Sequence, residues 1–250
     1  MRRYSLLALF AVAIALPVAV HAQGRGGPAA PPPTARASAP IDLTGYWVAV
    51  VNEDWRYRMV TPAKGDYGGV PITKEALQIV NNWDPAADEK AGEECKSYGA
   101  AAVMRLPARL HITWQDDTTL KVDVDAGTQT RVFRFGPAAA AAGTPTWQGD
   151  STAQWERGGG RGAPPVGGSL TVVTRNVRPG YLRKNGVPYS ANATVTEYFD
   201  LSPSPGGQML VVTTVVDDPR YLLQPLIVSS HFKKEADGSK WDPTPCSARW

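Results

Sequence analysis

Nine short runs rich in Val, Ile, Thr and aromatic residues recur along the chain, each broken by Gly, Pro, Asn or Asp. They fall at about 43–52, 108–115, 118–125, 128–135, 147–156, 168–177, 193–200, 208–217 and 225–234. Short β-type runs at such spacing are the mark of an all-β fold. A single stretch breaks the pattern: ITKEALQIVNNW, 72–83, where Thr73 suits an N-cap and Leu77, Val80 and Trp83 share one helical face. The predicted fold is an antiparallel up-and-down β-barrel of about nine strands with one short N-terminal helix. Closure would remove the exposed strand edges that invite aggregation. A β-sandwich is the alternative.

The first 22 residues carry Arg2 and Arg3, an apolar run and a small-x-small ending at Val20-His21-Ala22. That is the pattern of a secretory signal peptide, with cleavage after Ala22. The apolar run is short for a membrane span. Residues 23–40 are Gly, Pro and Ala with little to bury and read as a disordered tether, leaving 41–250 as a single barrel domain. The expected location is exported, periplasmic or extracellular. Of 26 Lys and Arg, four (Arg2, Arg3, Arg25 and Arg36) precede residue 41, so 22 face 23 Asp and Glu in the predicted domain. Near-neutral charge and the lack of a basic motif argue against a nucleic-acid partner. Cys95 and Cys246, an even pair in a chain bound for an oxidising space, are expected to form one disulfide.

The segment Asp42-Leu43-Thr44-Gly45-Tyr46-Trp47 resembles the Gly-x-Trp that opens lipocalin-type (calycin-type) barrels, although no Thr-Asp-Tyr motif accompanies it. Further stretches, WDPAAD, CKSYG, MRLPARLHI, TWQGDSTAQWE, YLRKNGVPYS and DDPRYLLQP, resemble a large group of exported bacterial proteins without an assigned activity. The resemblance implies an exported barrel and assigns no catalytic role to any residue.

Hairpin register locates the candidate site. If Asp116-Asp117 is a two-residue turn, His111 faces Val122 and Thr113 faces Leu120. With Ala126-Gly127 as the next turn, Val122 faces Arg131 and Leu120 faces Phe133. His111, Arg131 and Phe133 then share the interior face, with Gln129 and Phe135 beside them. Glu197, between Val195 and Phe199, is the natural partner for a buried Arg131. Trp147, Ser151 and Trp155 would share another inward face, where the tryptophans either line a pocket or fill the core. The stretch RPGYLRKNGVPYS, longer than an ordinary hairpin loop, is expected to lie over the barrel mouth, with Tyr181 and Tyr189 laid across it.

Two functional readings follow. In one, the barrel interior binds a small, mostly apolar molecule through His111, Arg131, Phe133, Trp147, Trp155, Tyr181, Tyr189 and Glu197. In the other, a cofactor-independent isomerase, cyclase, lyase or hydrolase uses His111 as base, Arg131 as anion stabiliser and Tyr181 or Tyr189 as proton donor. No cofactor motif or metal-binding His/Cys spacing is present, and no membrane span is expected after signal cleavage.

Overall fold

Nine strands cannot close into a barrel with every neighbour antiparallel, because alternation around a ring requires an even number. The chain resolves this conflict with one parallel seam. In the computed structural model, which describes residues 32–137, 143–158 and 167–249, the barrel strands are β1 (Gly45–Val50), β2 (Arg109–Asp116), β3 (Thr119–Val124), β4 (Gln129–Phe135), β5 (Asp150–Arg157) and β6 (Gly168–Arg175). They continue with β9 (Thr194–Ser204), β10 (Gly207–Asp217) and β11 (Leu226–Glu235). Their order around the closed barrel is β1-β11-β10-β9-β6-β5-β4-β3-β2. Only β4 and β5 run parallel, through three register pairs from Phe133↔Ser151 to Phe135↔Ala153. The expected barrel is present and the β-sandwich is not; the purely up-and-down topology gives way at this one seam.

The expected signal peptide and residues 23–31 of the expected tether lie outside the described residues. So do the central parts of two low-complexity loops, 138–142 and 159–166. The barrel packing begins before residue 41: Arg36 N donates to Asp117 O, Trp155 Nε1 to Ala35 O and Arg157 Nη2 to Ser38 O. Backbone groups, which any composition supplies, anchor this Pro/Ala-rich segment, and the Pro40 ring packs against Gly168.

The interior is filled. Trp47, Leu110, Ile112, Val122, Phe133, Leu170, Val172, Phe199, Leu210, Val212 and Phe232 are each 0% exposed, so no water-sized space lies against them. Trp47 Nε1 donates to Leu43 O, which settles its one polar group. Through this apolar core runs one polar belt. Arg131 on β4 grips Glu197 on β9 with two bonds, 2.8 Å to Oε1 and 2.6 Å to Oε2. Arg131 Nη2 also reaches Thr174 Oγ1 on β6, which lies 2.8 Å from Ser151 Oγ on β5. The belt therefore spans the four neighbouring strands on both sides of the short parallel seam.

One end of the barrel is capped by three connections. The β1–β2 connection carries α1 (Trp55–Arg58), α2 (Lys74–Asn82), α3 (Pro85–Lys90) and two 3-10 turns, Glu94–Tyr98 and Val103–Arg105. Thr73 caps α2 by accepting from Ala76 N, and Ala76 and Val80 turn inward. The β6–β9 connection forms a small hairpin of β7 (Gly180–Arg183) and β8 (Val187–Tyr189). The β10–β11 connection adds Tyr221 and Leu222. Together these bury a second apolar cluster that includes Val70, Leu182, Val187 and Tyr189.

The C-terminal segment runs back from the open end to this cap. Thr244 N donates to Asp125 O, and Cys246 forms the expected disulfide with Cys95, closing a separation of 151 residues.

Two stability tests follow. Glu197→Leu should cost about 3–5 kcal/mol in urea unfolding, since it strands a buried guanidinium, and adding Arg131→Met should recover most of that loss. Replacing both cysteines by Ser should lower unfolding free energy by up to about 5 kcal/mol, the loop-entropy value for so long a closure; an unchanged midpoint would count against it.

Candidate functional site

The structure disperses the residues expected to form an interior site. His111 lies outside the barrel. Asp116 Oδ1 accepts from Thr118 N and Oγ1, which moves the turn to Asp117-Thr118, and the register shifts between Trp114 and Asp116. His111 consequently pairs with Asp123 rather than Val122 and turns outward. There it stacks on Tyr46 with ring centroids 4.0 Å apart, and Trp241 of the returning C-terminal segment meets the pair edge-on. The next hairpin follows the expected register, with Val122↔Arg131 and Leu120↔Phe133.

Arg131, Phe133 and Glu197 are interior but occupied by one another: the guanidinium also sits 4.9 Å over the Phe133 ring. Trp155 packs with Trp114 and Phe135 near the open end. Trp147 precedes β5 rather than belonging to it, and Arg178 lies 4.2 Å over its ring.

The hairpin at 180–189 covers the barrel end, as expected, but as a packed cap. Lys184 through Ser190 are all buried. Asp218 fixes its far end by accepting from Ser190 N and Oγ. Tyr181 OH donates to Asp88 Oδ2 at 2.9 Å, and burial, reinforced by Asp88, pushes its hydroxyl pKa well up. Tyr189 is fully buried against Gly99 and Gly180, where a Cβ would collide with its hydroxyl. Burial likewise raises its pKa. Neither tyrosine meets His111, so the four groups proposed for catalysis do not converge.

A different set of residues converges at the cap. A cleft of about 160 Å³ opens between α1, the two 3-10 turns, the β7 end of the hairpin and the start of β11. Arg58, Arg105, Arg183 and Lys184 all line it, against a single lining carboxylate, Asp54. Leu106, Leu182 and Ile227 supply apolar walls.

Each cation is held in place. Arg58 donates from Nε to Arg105 O at 2.8 Å and pairs with Glu53. Arg105 reaches Ser229 O and Asp54 Oδ2. Asp54 itself sits at φ 51, a left-handed conformation that Asp tolerates and the Arg105 bond secures. Arg183 bonds Gly68 O and stacks 3.9 Å over the Tyr57 ring.

Crowding has a cost in charge. Burial, and then the neighbouring Arg105, pulls the Arg58 guanidinium down to about 10. One of its terminal nitrogens, Nη2, is buried with no hydrogen-bond partner among the described residues. Lys184 Nζ donates to Tyr98 OH at 2.7 Å, and burial lowers its pKa to about 7.

Sequence reasoning passed over Arg58, Arg105 and Lys184. They lie in irregular segments where no periodicity assigns a face, and only the fold brings positions 58, 105 and 184 together.

No family model, curated protein or solved structure matches the chain. The fold supports the lipocalin-type likeness as far as a closed barrel opening on Gly45-Tyr46-Trp47. No described helix is long and apolar enough to cross a membrane.

The Lys184 shift has a defined sign. Its folded pKa lies below its unfolded one, so the burial penalty is full below about pH 7 and fades as pH rises towards 10.5. Lys184→Met should therefore raise the thermal midpoint most near pH 6, by a stabilisation on the order of a few kcal/mol. The gap to the parent should shrink by pH 10. A gap independent of pH would show that Lys184 is not depressed.

Proposed function

We propose that this chain is an exported ligand-binding protein that holds a small anion-bearing molecule in the cleft at the capped end of its barrel. The observation that carries this reading is Arg58: its side chain is 2% exposed, yet Nη2 has no partner among the described residues. A buried donor left unsatisfied costs about 1–3 kcal/mol, more when charged, and an acceptor supplied by a ligand removes that cost. Arg105, Arg183 and Lys184 line the same cleft. Guanidinium groups favour acceptors that present two oxygens at once, so a carboxylate, phosphate or sulfate is the matching chemistry.

The apolar walls of Leu106, Leu182 and Ile227 suit the rest of a small organic acid. This places the ligand outside the barrel axis, where Phe133, Phe199 and Phe232 leave no room for the interior ligand read from the sequence. Export is supported by the pattern of residues 1–22 and by the Cys95–Cys246 disulfide, a bond that persists in oxidising compartments.

Thermal unfolding in sulfate, phosphate, acetate and benzoate, each matched in ionic strength with sodium chloride, tests the assignment. At least one should raise the midpoint in a saturable way; occupancy at 100 times Kd corresponds to about 2.7 kcal/mol. Arg58→Met should abolish the rise. Arg183→Gln, which gives up the Gly68 O bond and the stack on Tyr57, should weaken it about tenfold or more in apparent affinity. A midpoint indifferent to all four anions would rule the site out, as would a rise that survives both substitutions.

A further inference from the structure

We propose that Lys184 is a carbonyl-reactive amine, and that the cleft takes a small oxo acid whose carbonyl carbon becomes bound to Nζ as an imine. The inference rests on the anion reading of the cleft and narrows its ligand class.

Three features of the turn that carries Lys184 point this way. First, the turn is fixed on several sides. Gly186, at φ 83, lies against Trp83 so closely that a Cβ would stand 2.4 Å from the ring. Asn185 Nδ2 donates to Ala63 O and Asp66 O at 2.9 and 2.8 Å. A lysine recruited only for charge is ordinarily a flexible surface residue; this one is 5% exposed and held at its base.

Second, three arginines already supply the cleft with permanent charge, so a lysine at this position contributes something a guanidinium lacks: a lone pair at neutral pH. Burial favours the neutral amine, with the ammonium pKa near 7.

Third, a proton carrier adjoins it. Tyr98 OH is 2.7 Å from Nζ and also accepts from Ser247 N at 3.2 Å. Burial raises the Tyr98 pKa, so the phenol keeps its proton and can lend it.

The step balances without any redox partner. The Nζ lone pair forms a C–N bond as the carbonyl π pair moves to oxygen, which takes the first of the two nitrogen protons. Loss of that oxygen as water, protonated from Tyr98 OH, leaves C=N, and the proton released from nitrogen returns to the tyrosine. One carbonyl compound and one amine give one imine and one water. The guanidinium groups of Arg58 and Arg183 would hold the acid's carboxylate in the same cleft.

Reductive trapping tests this on the intact chain. The folded protein is incubated at pH 7 with glyoxylate and sodium cyanoborohydride, digested, and mapped by mass spectrometry. The peptide containing Lys184 should be alkylated at least about tenfold faster than those containing exposed Lys64, Lys74, Lys90 or Lys240. Sulfate should protect it, and Lys184→Arg should remove the fast phase while the exposed lysines keep their slow rate.

Trapping spread over the exposed lysines, with Lys184 spared, overturns the imine even if sulfate still stabilises the fold. Fast trapping of Lys184 by propionaldehyde as well as by glyoxylate, unprotected by sulfate, overturns the oxo-acid class and the anion site beneath it.

Discussion

The bidentate grip of Arg131 on Glu197 is the interaction on which the rest of the structure depends. Nine strands oblige the barrel to close across one parallel junction, and β4 and β5 share only three register pairs there. The buried belt of Arg131, Ser151, Thr174 and Glu197 crosses that junction from strand to strand. A buried ion pair repays its desolvation poorly, and well-packed apolar residues could match its stability. Its value here is directional, because two parallel bonds fix which strand meets which in a way that apolar packing does not.

A closed and filled barrel has no interior left for chemistry, and the irregular connections of the chain gather at one end. The long β1–β2 connection, the β7–β8 hairpin and the β10–β11 connection all leave from the same rim. Asp218 ties two of them together through Ser190, and Arg105 ties the first to β11 through Ser229 O. The cleft lies where the β1–β2 connection and the β7–β8 hairpin meet the start of β11, around the buried Arg58 and the half-buried Arg105 and Arg183. Its cationic character is thus a property of the cap's assembly, since Arg58, Arg105 and Arg183 are far apart in the chain.

Much of the barrel was legible because strand periodicity and turn chemistry agree. At Ala126-Gly127 the positive φ of Gly127 and Thr128 makes a tight reversal, and the β3–β4 register follows directly from it. The partnership of Arg131 with Glu197 was legible for the same reason. The β2–β3 hairpin misled because the turn moves to Asp117-Thr118 and the register then shifts at an irregularity between Trp114 and Asp116. The moved turn alone would leave His111 opposite the inward Val124; the irregularity sends it to the outer wall. Tyr181 and Tyr189 were correctly placed over the barrel end, but nothing in their spacing announces that Gly99 and Gly180 make room to bury one of them completely. Lys184 carries the least signal of all, since its surroundings come from residues between 54 and 228.

The path of the C-terminal segment gives the cleft a place in time. Tyr98, the neighbour of Lys184, takes one hydrogen bond from Ser247, the residue after Cys246, and itself lies three positions beyond Cys95. The Tyr46–His111 stack guides that segment past the barrel wall through Trp241. A chain emerging from its N-terminus can close most of the barrel and lay down the β7–β8 hairpin while this last clasp is still missing. The phenol beside the lysine is therefore among the final groups to be locked, held by the same C-terminal segment that the Cys95–Cys246 disulfide ties down.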